Sequence, residues 1–272
     1  MQQRIPFILK GASRWLGLLL FVSATLLACT APTPTPAPAD SADGWTSLAT
    51  GVEFRVERVT PADSRAFDMH ILRLYPAFVQ FKVSYRPQSP LSFTDWQAAL
   101  PDALAFVNAN FFDEYDRAIG LVIADGVSYG YSLVDFGGMF QVESLDSMRL
   151  RYLVTEPYQG EGYQQAIQSF PMLLSGGQPT RQGDGFNSPA RRSAIAQDTS
   201  GRIVLFSTGL LGEISFADLQ IWLANHPTLA IESALALDGG RSAMLYATNA
   251  NGSPVTVSGF DTVPVVLGVY AR

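Results

Sequence analysis

The chain has 272 residues, 47% of them hydrophobic, and its 18 Lys plus Arg against 24 Asp plus Glu give a net charge of −6. That acidic excess argues against a nucleic-acid partner, whose affinity comes largely from cations that neutralise phosphates, and against adhesion to an anionic lipid surface. One cysteine cannot make an internal disulfide, and two histidines, His70 and His226, leave no histidine cluster for zinc.

Arg4, Lys10 and Arg14 precede an apolar run over residues 15–27, and the first acidic residue is Asp40. This is the layout of an export signal, and the run is too short to span a membrane comfortably. It ends Leu26-Leu27-Ala28-Cys29, which resembles the lipobox of bacterial lipoproteins. Residues 1–28 are therefore read as a lipoprotein signal peptide, Cys29 as the lipidated mature N-terminus, and the protein as exported and anchored to the cell envelope by lipid alone. Loss of the three basic residues takes the charge from −6 to −9. Residues 29–44 alternate Pro with Thr and Ala, which favours an extended polyproline spacer. A single folded domain is expected over residues 45–272, long enough for one substantial core.

Strands are predicted over residues 52–59, 66–74 and 77–85 from their period-2 alternation. Thr94 or Asp95 is placed to cap a short helix over residues 96–100, ahead of Pro101. Residues 103–114 begin as a buried strand and end in Asn108-Ala109-Asn110-Phe111-Phe112-Asp113, a carboxamide, ring and carboxylate set that suits a sugar site or a plain acidic turn.

Gly126 to Gly130 reads Gly-x-Ser-x-Gly, the nucleophile-elbow pattern, with Ser128 as its serine. The elbow needs a strand before it and a helix after it. Here Asp125-Gly126 among β-formers predicts a hairpin instead, and a serine esterase is the less favoured alternative. Residues 137–151 are strand-like, and residues 164–168 read as a helical turn. An apolar run then ends at Gly176-Gly177, either a turn or bare backbone donors for an anion.

Residues 190–198 form a strand on which Arg191 and Arg192 face opposite ways. At most one can reach a site, and Arg192 is chosen as the anion clamp because a guanidinium presents a rigid fork to phosphate. The clearest helix is predicted over residues 211–225, with Ser215 capping and Asp218 at its third position. His226 at its end is read as a complement to the helix dipole.

The run over residues 230–237 then delivers Asp238 to Gly239-Gly240-Arg241-Ser242. A carboxylate at a strand tip beside two glycines suits catalysis, although Asp-Gly and Gly-Gly also make hairpin turns. Strands at residues 243–247, 255–257 and 264–270 complete an α+β domain, a mixed, largely antiparallel β-sheet core with a few flanking helices.

Four motifs taken in order, Asn108-Ala109-Asn110-Phe111-Phe112-Asp113, Gly120 to Gly126, Ser193-Ala194-Ile195-Ala196 after Arg192, and Leu237 to Ser242, resemble the phosphodiester glycosidase family. The resemblance spans residues 66–272 and implies hydrolysis of a sugar-1-phosphodiester. It implies Asp238 as base or nucleophile, Arg192 as phosphate clamp, and Asn110 with Ser242 as hydrogen-bonding groups. Phe112 would pack on the sugar, Asp113 would be a second carboxylate, and Gly176, Gly177, Gly239, Gly240 and Arg241 would contact substrate. The family pattern has glycine where this chain has Asn110 and Arg241, so either Asn108 or Asn110 can be the functional amide. No cofactor is required, although Asp238 with Asp113 would suit Ca or Mg. A carbohydrate or sugar phosphate is the expected partner. A non-catalytic lipoprotein that binds glycan or wall polymer is the alternative, since both want rings and polar groups around an open surface.

Overall fold

In the computed structural model, Trp96 is buried to 1% exposure and donates its indole N–H to the carbonyl of Val263 at 2.9 Å, 167 residues away. Long-range ties of this kind run throughout. The structure describes residues 44–61, 65–180, 186–250 and 252–272. The signal peptide, Cys29 and nearly all of the spacer lie outside the described residues.

Strands β1 (Thr46–Ala49), β2 (Val52–Val59), β3 (Phe67–Leu74) and β4 (Val79–Tyr85) precede helix α1 (Phe93–Ala99). Then come β5 (Ala105–Asn108), β6 (Val122–Ala124), β7 (Val127–Tyr129), β8 (Gly138–Ser144), β9 (Ser147–Tyr152), β10 (Gln165–Ser169), β11 (Met172–Ser175) and β12 (Gln178–Pro179). After β13 (Ser193–Asp198) and β14 (Ile203–Thr208) come α2 (Phe216–Ala224), β15 (Ile231–Ala236) and a short 3-10 turn, Gly240–Ser242. Strands β16 (Leu245–Ala247), β17 (Val255–Val257) and β18 (Val265–Ala271) close the chain.

These strands form an eight-stranded sheet, β1-β2-β3-β14-β13-β15-β11-β12, and two five-stranded sheets, β7-β6-β10-β8-β9 and β17-β16-β5-β18-β4. The largest core joins one face of the eight-stranded sheet (Leu72, Ile195, Leu205, Leu235) to residues of both smaller sheets (Phe140, Val107, Leu267). A second core packs α2, through Leu219 and Leu223, on the other face against Ala194, Phe206 and Ala236. The β13 alternation is therefore real: Ala194 and Ala196 face the helix while Ile195 faces the other sheets. All described residues belong to one compact unit.

Several expectations need correction. Every pairing among the described strands is antiparallel, so the sheets are not mixed and the fold is β-dominated. With helices of only seven and nine residues, β-α-β crossovers that would make strands parallel are scarce. The first helix starts earlier than expected, because Ser92, not Thr94 or Asp95, accepts from the Asp95 N–H. The second has the cap predicted for it, Ser215 accepting from Asp218 N–H at 3.0 Å.

Strand β10, Gln165–Ser169, stands where a helical turn over residues 164–168 was expected, because Gln165 and Gln168 are buried hydrogen-bond hubs. Gln165 Oε1 accepts from the Val83 N–H at 2.9 Å, and Gln168 is completely buried. The Gly-x-Ser-x-Gly stretch is the β6–β7 hairpin, with left-handed Asp125 (φ 49°) and Gly126 (φ 77°) at its turn and Ser128 exposed on a strand. No helix follows, so no elbow forms. His226 pairs with Glu57 at 2.7 Å rather than with the helix dipole, and its Nδ1 accepts from the N–H of Thr228 and Leu229.

Candidate functional site

The site is built where β15 runs out. Leu237 still bonds back to its neighbour strand, its N–H donating to the Ser193 carbonyl at 2.9 Å. One residue later the chain changes partner, and the Asp238 N–H donates to the Ala109 carbonyl at 2.9 Å, beyond the end of β5. Asn108, fully buried, clamps both ends of the loop that follows. Its Nδ2 donates to the Asp238 carbonyl at 2.6 Å, and its Oδ1 accepts from the Met244 N–H at 3.0 Å.

The Asp238 carboxylate is held from within the same loop. Oδ1 accepts from the Gly239 N–H at 2.8 Å, and the Ser242 hydroxyl also bonds to the carboxylate. Burial pushes its pKa up to about 6, the nearby negative charge of Asp261 adds to that, and the two hydrogen bonds work against it. Desolvation wins, so this carboxylate titrates near neutrality.

The two glycines have different reasons to be glycine. A Cβ on Gly239 would sit 2.7 Å from the Arg191 carbonyl, so this is a close backbone approach. Gly240 adopts φ +57° with open space beside it, and its N–H donates to that same Arg191 carbonyl at 2.8 Å.

Arg191 and Arg192 do face opposite ways, and the geometry favours the one not chosen from sequence. In the Arg192 guanidinium Nε donates to the Ile214 carbonyl at 3.0 Å, Nη2 donates to the Ser188 carbonyl at 2.7 Å, and the central carbon lies 3.6 Å from the Phe216 ring centre. Burial lowers its pKa to about 10. It holds the segment entering α2 and is not placed as a clamp.

Arg191, 6% exposed, donates from Nη2 to the Ala243 and Ser258 carbonyls at 2.8 and 3.0 Å, and its guanidinium carbon lies 4.9 Å from the Phe260 ring centre. Its buried Nε and Nη1 have no partner. With Gly240, Arg241, Glu213 and Phe260 it lines a cavity of about 360 Å³. No ion pair joins Asp238 to either arginine among the described residues. Arg241, 68% exposed at its side chain, pairs with Asp261 at 2.8 Å on the rim.

Asn110, 2% exposed, sits beside the Asp238 junction, donating to the Gln168 carbonyl at 2.6 Å while its Oδ1 has no partner. Of the two asparagines, then, Asn108 shapes the loop and Asn110 has the uncommitted acceptor. The ring expected to meet sugar was Phe112, but it packs beside Trp96 and Phe106 and anchors its loop. Its neighbour Phe111 stacks on Phe170 at 4.4 Å, and Phe136 leans on Phe170 at 4.8 Å. Phe170 precedes Pro171, whose carbonyl accepts from the Ala236 N–H at 2.9 Å, so the trio borders the strand that leads to Asp238.

Two further expectations are overturned. The Asp113 carboxylate accepts from the N–H groups of Tyr115 and Arg117 and pairs with the Arg117 side chain, which lowers its pKa. It closes its own loop and makes no pair with Asp238, so the two do not form a Ca or Mg site. Among the described residues no cluster of three or more metal-ligating side chains occurs. Gly176 and Gly177, with φ of 59° and 72°, turn the β11–β12 hairpin, and the Gly177 N–H donates to the Glu232 carbonyl at 2.7 Å. Glu232 precedes Asp238 by six strand residues, roughly 20 Å at strand rise. These glycines lie at the wrong end of β15.

A family model described as phosphodiester glycosidase matches residues 102–270, more than half the chain. No curated protein matches. Among solved structures, the catalytic domain of zebrafish N-acetylglucosamine-1-phosphodiester alpha-N-acetylglucosaminidase, auto-inhibited by its pro-peptide, superposes with a TM-score of 0.64 at 18% identity. That match covers 83% of this chain and 85% of the other. A hypothetical protein from Synechocystis superposes with a TM-score of 0.58 at 15% identity, covering 82% of this chain and 62% of that one. At such identities the superpositions establish a shared fold.

Proposed function

The chain belongs to the phosphodiester glycosidase family, and from that membership we propose that it hydrolyses a sugar-1-phosphodiester at the anomeric carbon. One observation carries the reading. A carboxylate titrating near 6 and a buried guanidinium with two unused donors are held on a single loop junction, unpaired with each other. That leaves the cation for a phosphate and the carboxylate for a water.

In this reading the sugar ring lies on the Phe111, Phe170 and Phe136 faces, while the Arg191 guanidinium, held by Nη2, offers its positive charge to the phosphate. Asp238 takes a proton from water as the water oxygen bonds to the anomeric carbon. The bond from that carbon to the phosphate oxygen breaks, and the electron pair leaves with a phosphomonoester. Such a leaving group is a weak base, so a second carboxylic acid is dispensable, unlike in ordinary glycosidases. Arg191 stabilises the charge that gathers on it. The Gly239 N–H and Ser242 hydroxyl aim the Asp238 carboxylate, and Asn110 Oδ1 is the free acceptor for a sugar hydroxyl.

The proposal extends to the setting. A signal over residues 1–28 and lipidation at Cys29 would put this chemistry at the cell envelope. The deciding experiment incubates the protein and Asp238→Asn with methyl N-acetylglucosamine-1-phosphodiester and measures released sugar. Release by the native protein with at least a hundredfold loss in the variant supports the reading. Binding without release by the native protein would instead favour a non-catalytic glycan-binding lipoprotein.

A further inference from the structure

The Gly-x-Ser-x-Gly hairpin has no place in the hydrolytic reading, yet it begins an unusual surface. Between residues 127 and 136 five large apolar side chains are exposed: Val127, Tyr129, Tyr131, Val134 and Phe136. Tyr131 and Val134 reach 75% and 76% exposure. Such a row is costly to leave in water and ordinarily marks a surface with a partner.

The row is held rigidly. Gln168, wholly buried, accepts from the Leu133 N–H at 2.9 Å and donates to the Leu133 and Phe136 carbonyls at 2.8 and 3.2 Å. The Gln168 carbonyl is also the acceptor for Asn110 Nδ2. One buried glutamine therefore fixes the row relative to the candidate site. At the far end Tyr129 packs edge-on against Tyr85 at 5.2 Å, and a cleft opens on each side of that pair. One, about 570 Å³, includes Tyr131, Gln88 and Arg117; the other, about 480 Å³, includes Trp96, Arg86 and Asp125. At the near end Phe136 leans on Phe170, next to the strand that leads to Asp238. Seven residues separate Tyr129 from Phe136, at most about 25 Å of extended chain.

Resting on the hydrolytic reading, we propose that this row is a run of subsites for a neutral glycan chain that continues from the phosphodiester, so the substrate is an oligosaccharide or polymer conjugate. Exposed rings at the edge of two clefts, with the Gln88 amide and charged groups lining those clefts, match the alternating apolar faces and hydroxyl edges of consecutive sugars. Charge selects the neutral chain. Arg117 in the larger cleft is already paired with Asp113 at 2.8 Å, and in the smaller one Arg86 is matched by Asp125, so neither cleft carries net positive charge. A polyphosphate backbone would meet no net positive surface, on a protein of charge −6.

The test uses Tyr131→Ala and the double variant Tyr129→Ala with Tyr131→Ala. The first residue is exposed enough that its loss leaves the fold intact. Binding to chitohexaose is measured by calorimetry, with poly(glycerol phosphate) as the polyanionic probe. Steady-state kinetics compare the methyl phosphodiester with the same diester carrying a neutral tetrasaccharide. Loss of each ring should raise Kd for chitohexaose, and KM for the tetrasaccharide diester, about tenfold. Both constants for the methyl diester should stay as in the native protein. Equal binding by native and variant proteins, or tighter binding of the polyanion, overturns the proposal. Chitohexaose binding that depends on both tyrosines, in a protein that cleaves no diester, would instead sink the hydrolytic reading and leave the glycan row standing.

Discussion

Asn108 and Asp238, 130 residues apart in sequence, are joined by a 2.6 Å hydrogen bond from the Asn108 amide to the Asp238 carbonyl. The same side chain receives the Met244 N–H, so one buried amide sets where the Asp238 loop leaves and rejoins the sheets. Replacing it leaves two buried backbone groups without a partner.

Asn108→Ala should therefore cost about 2 kcal/mol of stability, and lower kcat at least tenfold by letting the carboxylate drift. KM should change little, since Asn108 touches no substrate group. Urea denaturation and steady-state kinetics on the methyl phosphodiester check both parts. A stability loss with unchanged kcat would show that the clamp is structural alone.

Asp238 makes a pH prediction with a definite sign. Its pKa rises from 3.8 to about 6 in the folded state, so the folded protein holds that proton more tightly than the unfolded chain. This group's contribution to stability is greatest below pH 3.8, falls as pH rises from there to about 6, and is a constant cost above. That cost is on the order of 3 kcal/mol. Asp238→Asn should accordingly raise the melting temperature at pH 7.5, with the gain vanishing near pH 4, while abolishing turnover. For the native protein the proposed hydrolysis should lose kcat/KM on the acid side with a midpoint near 6, since the proposal makes the ionised carboxylate the base.

The neighbouring arginines separate by phenotype. Arg191→Ala should lower kcat/KM on phosphodiesters at least a hundredfold, and Arg191→Lys should recover little, since an ammonium cannot reproduce the two carbonyl contacts and ring stacking that hold the cation in place. Arg192→Ala should lower stability by about 2 kcal/mol, because the Ile214 and Ser188 carbonyls lose their donor, and should leave turnover per folded molecule intact. Thermal melts run beside single-turnover assays distinguish the two. Reversal of the pattern would return the clamp to Arg192.

The glycine pairs offer a second contrast. Gly239→Ala forces a methyl against the Arg191 carbonyl at 2.7 Å, displaces the Asp238 loop and should abolish activity. Gly177→Ala strains a left-handed turn position, costing about 1–2 kcal/mol, with activity retained at the far end of β15. Activity lost in both variants, each still folded by circular dichroism, would contradict the separation of the two turns.

Much of this arrangement was legible in the chain itself. Alternation located β2, β3 and β4 to within a residue or two, Ser215 with Asp218 announced the cap of α2, and Asp125-Gly126 announced the hairpin that dismisses the serine elbow. Alternation also put Arg191 and Arg192 on opposite faces. The misses have one cause. Phe111 and Phe112 are interchangeable by composition, Gly176-Gly177 and Gly239-Gly240 are the same dipeptide after the same kind of run, and Gln165 and Gln168 look like surface residues.

The sequence by itself determined the strands, the caps, the turn at Asp125-Gly126 and a carboxylate at the tip of β15, because each depends on neighbours within about four residues. Which arginine keeps free donors, which phenylalanine meets the open surface and which glycine pair borders Asp238 were decided only when β5, β13 and β15 came together. Those choices turn on whether a carbonyl from a distant segment has already claimed a donor, and that competition exists only once the chain has packed.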